Sequence, residues 1–322
     1  MSTSSPLSPA LDGALRTFEN RYGHRVAYYK SRWSAAVPAD VRPLVLIHSI
    51  NAAASAYEMR PLFDHFAMSR PTYALEWPGF GQSQRGKLDY GVQLYTDTLA
   101  DFLMFITNDY PAVDLVALSQ SAELAAAVAK DRPSLIHTLT LISPTGLGPL
   151  AQPPLISPLV EKLVTRMPWS RPLFHLLTSR ASISHFLEKS FVGPPDQGLL
   201  AYCHETAQKP GAEYAPWAFL AGRFAVPEVF ERVYAELRTP TLILYDKDAY
   251  TSFERLGELL LRNPWVRTTR VPRTCGLPHW DSPRLTCALL THHLQLMRRL
   301  SPQALHETGW EHARYRDAQL AH

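Results

Sequence analysis

The chain has 322 residues, enough for one large domain with an insertion or for a pair of smaller domains. Its formal net charge of +3 argues against a nucleic-acid-binding surface, which needs a clustered excess of basic side chains. No apolar run reaches the roughly 18 residues that span a bilayer. The polar start of the chain is unlike a signal peptide, and Cys203, Cys275 and Cys287 are scattered, so we expect a cytoplasmic protein with no integral membrane segment.

Short apolar segments alternate with amphipathic segments along much of the chain. Strands are predicted at 25–33, 44–48, 72–77, 113–118, 138–143, 241–246 and 266–272. Helices are predicted at 57–66, 92–107, 121–130, 253–261 and 282–299. This alternation indicates βαβ units, and therefore an α/β fold with a mostly parallel central sheet and helices on both faces.

One long segment interrupts the alternation. Residues 147–238 contain no convincing strand, begin with a proline-rich stretch and are rich in aromatic residues. We interpret them as an inserted helical cap over the carboxyl edge of the sheet, where open sheets bind ligands; the alternative is a set of packing helices without ligand contact. The predicted organisation is then a flexible leader (1–14), a core (15–146 and 239–300), the cap (147–238) and a C-terminal tail (301–322).

Ser119 is the strongest candidate for a reactive residue. The apolar strand 113–118 runs directly into it, and a helix begins at Ser121. A nucleophile held on a strained strand-to-helix turn needs small residues two positions before and after it, and Ala117 and Ser121 meet that need. The other interpretation is that Ser119 is an ordinary helix N-cap.

Five further segments, in chain order, support the catalytic interpretation. LVLIHSINAAASAYEMRPLFDHF, ALEWPGFGQS, LTLISPTGL, PTLILYDKDAYTSF and CGLPHWDSP resemble the corresponding segments of the α/β-hydrolase superfamily. In the second of these, Glu76 stands in the position of the family's aspartate. The resemblance covers residues 16–298 and implies an α/β-hydrolase fold, a serine nucleophile and a triad in the chain order Ser, Asp, His.

The resemblance also implies the roles of the site residues. Ser119 would attack an acyl carbonyl, and the oxyanion hole would combine the backbone N–H of Gln120 with an N–H from the Ser49–Ile50 loop. Asn51 is a candidate for an additional side-chain donor, or it caps the following turn. Asp248 is the expected acid of the triad and Asp246 the alternative.

The catalytic histidine departs from the family pattern. In the motif G-H-x-x-H-x-E the first histidine is the catalytic one, and here Gly276 occupies that position. His279 aligns with the second histidine. Two hypotheses follow: His279 supplies the general base from a shifted loop, or it is structural and the base is missing.

These features predict a serine hydrolase that cleaves a carboxylic ester or a related acyl bond of an apolar small-molecule substrate through an acyl-enzyme at Ser119. One alternative is an acyltransferase with the same triad, which differs only in the second nucleophile. The other is a non-catalytic binding protein with the same fold. We expect no cofactor, no metal and no nucleic-acid partner, and the sequence leaves the oligomeric state open.

Overall fold

The computed structural model describes residues 6–32, 41–149 and 154–299. Eight strands form one sheet in the order β1-β2-β4-β3-β5-β6-β7-β8. Their bounds are β1 Ala14–Glu19, β2 Arg25–Lys30, β3 Leu44–Ile47, β4 Thr72–Leu75, β5 Val113–Leu118, β6 Ile136–Ile142, β7 Thr241–Tyr245 and β8 Val266–Arg270. The six strands β4, β3, β5, β6, β7 and β8 pair in parallel with their neighbours. At one edge of the sheet, the β1–β2 and β2–β4 pairs are antiparallel. The predicted α/β fold with a mostly parallel sheet is therefore confirmed.

Helices cover both faces of the sheet. Their bounds are α1 Arg60–Phe66, α2 Val92–Thr107, α3 Ser121–Asp131, α4 Pro158–Val164, α5 Ser170–Leu177, α6 Arg180–Glu188, α7 Gln197–Ala207, α8 Tyr214–Leu220, α9 Val229–Arg232, α10 Leu256–Arg262, α11 Pro278–Asp281 and α12 Pro283–Arg299. Three 3-10 helices lie at Ala56–Met59, Pro133–Leu135 and Tyr234–Glu236.

Burial on both faces explains why the central strands are continuously apolar. Val45 and Ile47 of β3 belong to the core cluster under α2 and α3, whereas Leu44 and Leu46 belong to the cluster under α1 and α12. Successive side chains of a strand point to opposite faces, so a strand covered on both sides needs an apolar residue at every position.

The start of the chain differs from the predicted leader. Residues 14–19 form the edge strand β1, which the sequence did not indicate because four of its six side chains are solvent-exposed and none is fully buried. Ahead of it, Ala10 and Leu11 are buried, and the Ala10 N–H donates to the Tyr29 hydroxyl at 2.9 Å. The first five residues of the leader and the predicted tail lie outside the described residues.

The inserted segment is helical, as predicted. Between β6 and β7 its described residues contain the six helices α4 to α9 and no strand. The Gln120 side chain donates to the Phe224 carbonyl at 3.1 Å, and the Tyr250 hydroxyl donates to the Phe186 carbonyl at 2.9 Å. The insertion therefore contacts the segments that follow β5 and β7, at the carboxyl edge of the sheet. Its role as a cap over a substrate stays a prediction.

Candidate functional site

Ser119 occupies a strained turn between β5 and α3. Its φ is +55°, in the left-handed region that residues other than glycine rarely adopt. The turn is held on both sides, because the Ser119 N–H donates to the Ile142 carbonyl and the Ser119 carbonyl accepts the Ala122 N–H, each at 2.9 Å. A left-handed residue of this kind costs about 1–2 kcal/mol and persists only where its surroundings enforce it.

The two small residues predicted around Ser119 are both completely buried. Ala117 packs in the hydrophobic core, and Ser121 has no exposed surface. The Ser121 hydroxyl donates to the His48 carbonyl at 2.6 Å and accepts the Trp77 indole N–H at 2.9 Å. Position 121 therefore satisfies the steric need of the turn and also ties it to the segments after β3 and β4.

The predicted oxyanion loop is organised by Glu58. The carboxylate of Glu58 accepts the Ser49 N–H at 2.8 Å, the Ser49 hydroxyl at 3.0 Å and the Asn51 amide at 2.9 Å. Asn51 also accepts the Ala53 N–H at 2.8 Å, so it caps the following turn, which is one of the two roles that the sequence left open. The Ser49 N–H is thus already engaged with a carboxylate.

Two predicted oxyanion donors stay unengaged. In residues 6–32, 41–149 and 154–299, no protein group accepts a hydrogen bond from the backbone N–H of Ile50 or of Gln120. Both belong to loops at the carboxyl edge of the sheet, after β3 and β5. Of the predicted set, these two N–H groups are the ones available to a developing oxyanion.

The two candidate acids have different partners. The Asp246 carboxylate accepts hydrogen bonds from Arg270 Nε at 2.5 Å and from the Thr274 N–H at 3.0 Å. Burial acts to raise the pKa of Asp246, but the Arg270 and Thr274 hydrogen bonds outweigh it, and the pKa is lowered. Asp246 therefore has the contacts of a structural residue that joins β7 to the loop after β8.

Asp248 instead faces position 276. Its Oδ1 accepts the Tyr250 N–H at 2.7 Å, and a Cβ atom at Gly276 would lie 2.9 Å from its Oδ2. Burial raises the pKa of the Asp248 carboxyl. Within the described segments no basic side chain forms an ion pair with it. The carboxylate that the sequence favoured as the acid thus lies against the position where the family motif has its catalytic histidine.

His279 has the hydrogen bonds of a structural residue. It is completely buried in α11, and its Nε2 donates to the Glu58 carbonyl at 2.8 Å. Its Nδ1 is buried and has no hydrogen-bond partner among the described residues. Burial lowers the pKa of His279 to about 4. Neither ring nitrogen is hydrogen-bonded to Ser119 or Asp248, so the structure does not assemble the predicted triad, and the role of His279 as base stays a prediction.

Glu58 and Glu76 support the loops of the candidate site through contacts that the sequence analysis did not predict. Glu76 is completely buried, accepts the Ala56 N–H at 3.0 Å and lies 3.5 Å from His48 Nε2. Burial raises the pKa of Glu76 to about 8 and lowers that of His48 to about 3, so this close pair is neutral near pH 7 and is not an ion pair. The glutamate in the family's aspartate position was the one sequence signal for this contact.

Three further features of the described residues bear on other kinds of site. The described residues contain no group of three or more histidine, cysteine, aspartate or glutamate side chains that could hold a metal ion. Nor do they contain a helix long and apolar enough to cross a membrane. A surface cavity of about 540 Å³ lies between α1 and α12, and its lining includes none of the predicted site residues.

Comparison with known proteins agrees with the observed fold. The chain belongs to the alpha/beta hydrolase family, whose model matches residues 44–289. That range contains Ser119, Asp248, Gly276 and His279. A search of curated proteins finds no match.

Several solved structures share the fold at low sequence identity. A bacterial membrane phospholipase A, described as a virulence factor, is 18% identical with a TM-score of 0.70, over 89% of this chain and 87% of that one. A serine hydrolase involved in carbazole degradation is 17% identical with a TM-score of 0.69, over 88% and 99% of the two chains. A meta-cleavage product hydrolase from Pseudomonas fluorescens is 13% identical with a TM-score of 0.64, over 87% and 97%.

Proposed function

We propose that this protein is a hydrolase that cleaves a carboxylic ester or a related acyl bond through an acyl-enzyme at Ser119. The observation that carries the proposal is the left-handed φ of +55° at Ser119, at a strand-to-helix turn in a chain of the alpha/beta hydrolase family. A strained serine at this point exposes its hydroxyl at the carboxyl edge of the sheet. An N-cap serine has no need of such strain, because N-cap residues adopt ordinary extended backbone angles.

In this proposal the Ser119 hydroxyl oxygen attacks the acyl carbonyl, and the N–H groups of Ile50 and Gln120 stabilise the oxyanion. The proton of Ser119 passes to a base and then to the leaving alcohol. Water afterwards cleaves the acyl-enzyme and restores the serine. Gln120 also contacts Phe224 of the insertion, so an acyl group bound at Ser119 would lie beneath that aromatic-rich segment, which favours an apolar substrate.

Two side chains are candidates for the base. His279 would first have to break its 2.8 Å bond to the Glu58 carbonyl and leave a completely buried position. Asp248 already presents Oδ2 beside Gly276, and burial raises the pKa of this carboxyl, which makes it a stronger base than an exposed aspartate. A carboxylate is a weaker base than an ordinary imidazole, and burial lowers the pKa of the His279 imidazole to about 4, so we expect slow turnover with either arrangement.

The experiment is labelling with a fluorophosphonate probe, measured as a rate, on the intact chain and three single variants. We expect Ser119→Ala to abolish labelling. His279→Gln keeps an N–H donor for the Glu58 carbonyl, so it leaves the rate unchanged if His279 is structural and lowers it at least tenfold if His279 is the base. Asp248→Asn tests the carboxylate in the same way. Circular dichroism confirms that each variant is folded.

A second candidate function is ligand binding without hydrolysis. The specific observation that favours it is Gly276, which places no imidazole beside the Asp248 carboxylate. If the folded intact chain does not label, or labels equally in Ser119→Ala, the hydrolase proposal is wrong and the binding function replaces it.

A further inference from the structure

The exposed apolar side chains of this protein are concentrated on one part of the insertion. Nine of the sixteen exposed large apolar residues among the described residues lie between Leu155 and Val192. The main contributors are Leu159, Leu163, Trp169, Leu176, Leu177 and Phe186, which we call the outer face of α4 to α6. Leu159 is 77% exposed and Leu176 is 70% exposed. Single exposed apolar residues are normal on a protein surface, but nine of them within 38 residues make this segment a candidate interaction site.

The inner sides of the same helices already pack on the protein. Val164 of α4, Phe174 of α5 and Ile183 of α6 are buried. A surface helix of a water-soluble domain normally carries polar side chains opposite its buried row. Here leucine and aromatic residues stand on the outward side as well, so the outer face is not required by the packing of the fold.

Basic side chains accompany this apolar surface. Between residues 154 and 192 there are five basic residues, Lys162, Arg166, Arg171, Arg180 and Lys189, and two acidic ones, Glu161 and Glu188. Glu161 is buried and pairs with Arg223 at 3.5 Å, whereas all five basic residues are exposed. The segment's formal charge of +3 equals that of the entire chain, so the remaining residues sum to zero.

Salt bridges among the described residues do not neutralise this positive charge. No acidic side chain in the described parts of the chain forms a salt bridge with any of the five basic residues. Exposed leucine and tryptophan, together with lysine and arginine that lack an acidic partner among the described residues, form the combination that lies at the interface of anionic bilayers. Apolar side chains enter the acyl region, and the basic groups stay at the level of the phosphates.

We propose that the outer face of α4 to α6 docks on an anionic lipid surface. The basic side chains favour lipids with negatively charged headgroups, and the apolar side chains enter the acyl region of the bilayer. The end of α6 is also connected to the site loops, because the Tyr250 hydroxyl donates to the Phe186 carbonyl and the Cys275 thiol contacts the Lys189 carbonyl at 3.1 Å. Docking would therefore bring the loops of Asp248 and Gly276 near the lipid surface.

The test is flotation of the full chain with vesicles of phosphatidylcholine, with and without 30% phosphatidylglycerol. We expect binding to the anionic vesicles only, and at least tenfold weaker binding in 0.5 M than in 0.1 M NaCl. The double variant Leu159→Ser/Leu176→Ser should lose binding at least tenfold. Its matched control is Leu261→Ser, at a leucine that is 91% exposed elsewhere on the surface, and it should bind as the intact chain does.

Three results would overturn the proposal. The first is failure of the full chain to float with anionic vesicles. The second is binding that the double variant does not weaken. The third is a concentration-dependent dimer, measured by light scattering, that the double variant abolishes while the vesicles bind nothing, since the outer face would then be an interface between copies of this chain. None of these depends on activity at Ser119, so this test and the labelling test fail separately.

Discussion

Gly276 determines the surroundings of the Asp248 carboxylate. Its φ is not in the left-handed region, so the backbone at this position accepts a side chain. The obstacle to a Cβ atom is the Asp248 carboxylate, 2.9 Å away, and an aspartate side chain can rotate to make room. A glycine here is therefore not demanded by the chain conformation, and its effect is to leave the carboxylate without an imidazole neighbour.

At this position we predict a gain of activity. Gly276→His places an imidazole beside Asp248, and a positioned general base contributes roughly 100-fold or more to rate. We expect fluorophosphonate labelling of Ser119 to become about 100-fold faster. Gly276→Ala is the matched control, because it adds the Cβ atom without a base. Equal rates for the histidine and alanine variants, both folded, would show that position 276 is not within reach of Ser119.

At the scale of the element, one 3-10 helix supports two sides of the candidate site. Glu58, in the helix Ala56–Met59, holds the Ser49–Asn51 loop through its carboxylate. Its backbone carbonyl accepts the His279 ring N–H and, at 2.7 Å, the Trp280 indole N–H. The loop after β3 and the short helix α11 are thereby attached to the same residue, which explains the buried orientation of His279.

Loss of the Glu58 carboxylate should therefore be costly. Glu58→Ala leaves the Ser49 N–H and the Asn51 amide without their acceptor in a buried region, and each unsatisfied group costs about 1–3 kcal/mol. We expect the free energy of unfolding in urea to fall by about 3 kcal/mol. Glu188→Ala, at an exposed glutamate of α6, should change it by less than about 0.5 kcal/mol. A loss for Glu58→Ala as small as that of the control would contradict this account.

At the scale of the whole molecule, buried titratable groups give the stability an unusual pH dependence. Burial lowers the pKa of His48 and His293 to about 3 and that of His279 to about 4. In the unfolded chain these histidines take up protons below about pH 6.5, so they favour unfolding in acid. Glu76 acts in the opposite direction, because its pKa is raised to about 8 and the fold holds it protonated.

The raised pKa of Glu76 predicts that the folded protein becomes less stable at alkaline pH. Between about pH 4.5 and 8 the unfolded state has lost the Glu76 proton and the folded state retains it, so stability falls as pH rises. Above about pH 7.5 the unfolded histidines are also neutral, so their contribution is nearly constant and the Glu76 contribution remains. We expect the melting temperature to drop between pH 7.5 and 9 by on the order of 2 °C.

The variant Glu76→Gln isolates this contribution. The glutamine keeps an acceptor for the Ala56 N–H but has no proton to lose, so its melting temperature should change less between the two pH values. Glu205→Gln, at a glutamate whose carboxylate has exposed hydrogen bonds to Ser8, is the control and should retain the full drop. An equal drop in Glu76→Gln and in the intact chain would place the titrating group elsewhere.

Local sequence was sufficient for most strands of the sheet and for the turn at Ser119. The apolar runs predicted β5 and α2 with the bounds that the structure has, because burial on both faces or on one face imposes a residue pattern on a short segment. The strand-to-helix turn at Ser119 was predicted in the same way, since the strand, the small residues and the helix around it are neighbours in the chain. The edge strand β1 escaped prediction because an exposed edge imposes little pattern.

The relations between distant residues were decided only by the tertiary structure. His279 bonds a carbonyl 221 positions away. Asp246 is distinguished from Asp248 by its bonds to Arg270, the last residue of β8, and to Thr274 in the loop that follows. Hydrogen-bond partners of this kind depend on which segments the sheet order brings together and on the rotamers that the packing then permits. Sequence could therefore name Ser119, Asp248 and His279 as candidates, but the folded chain decided that the Asp248 carboxylate faces Gly276 and that His279 bonds Glu58.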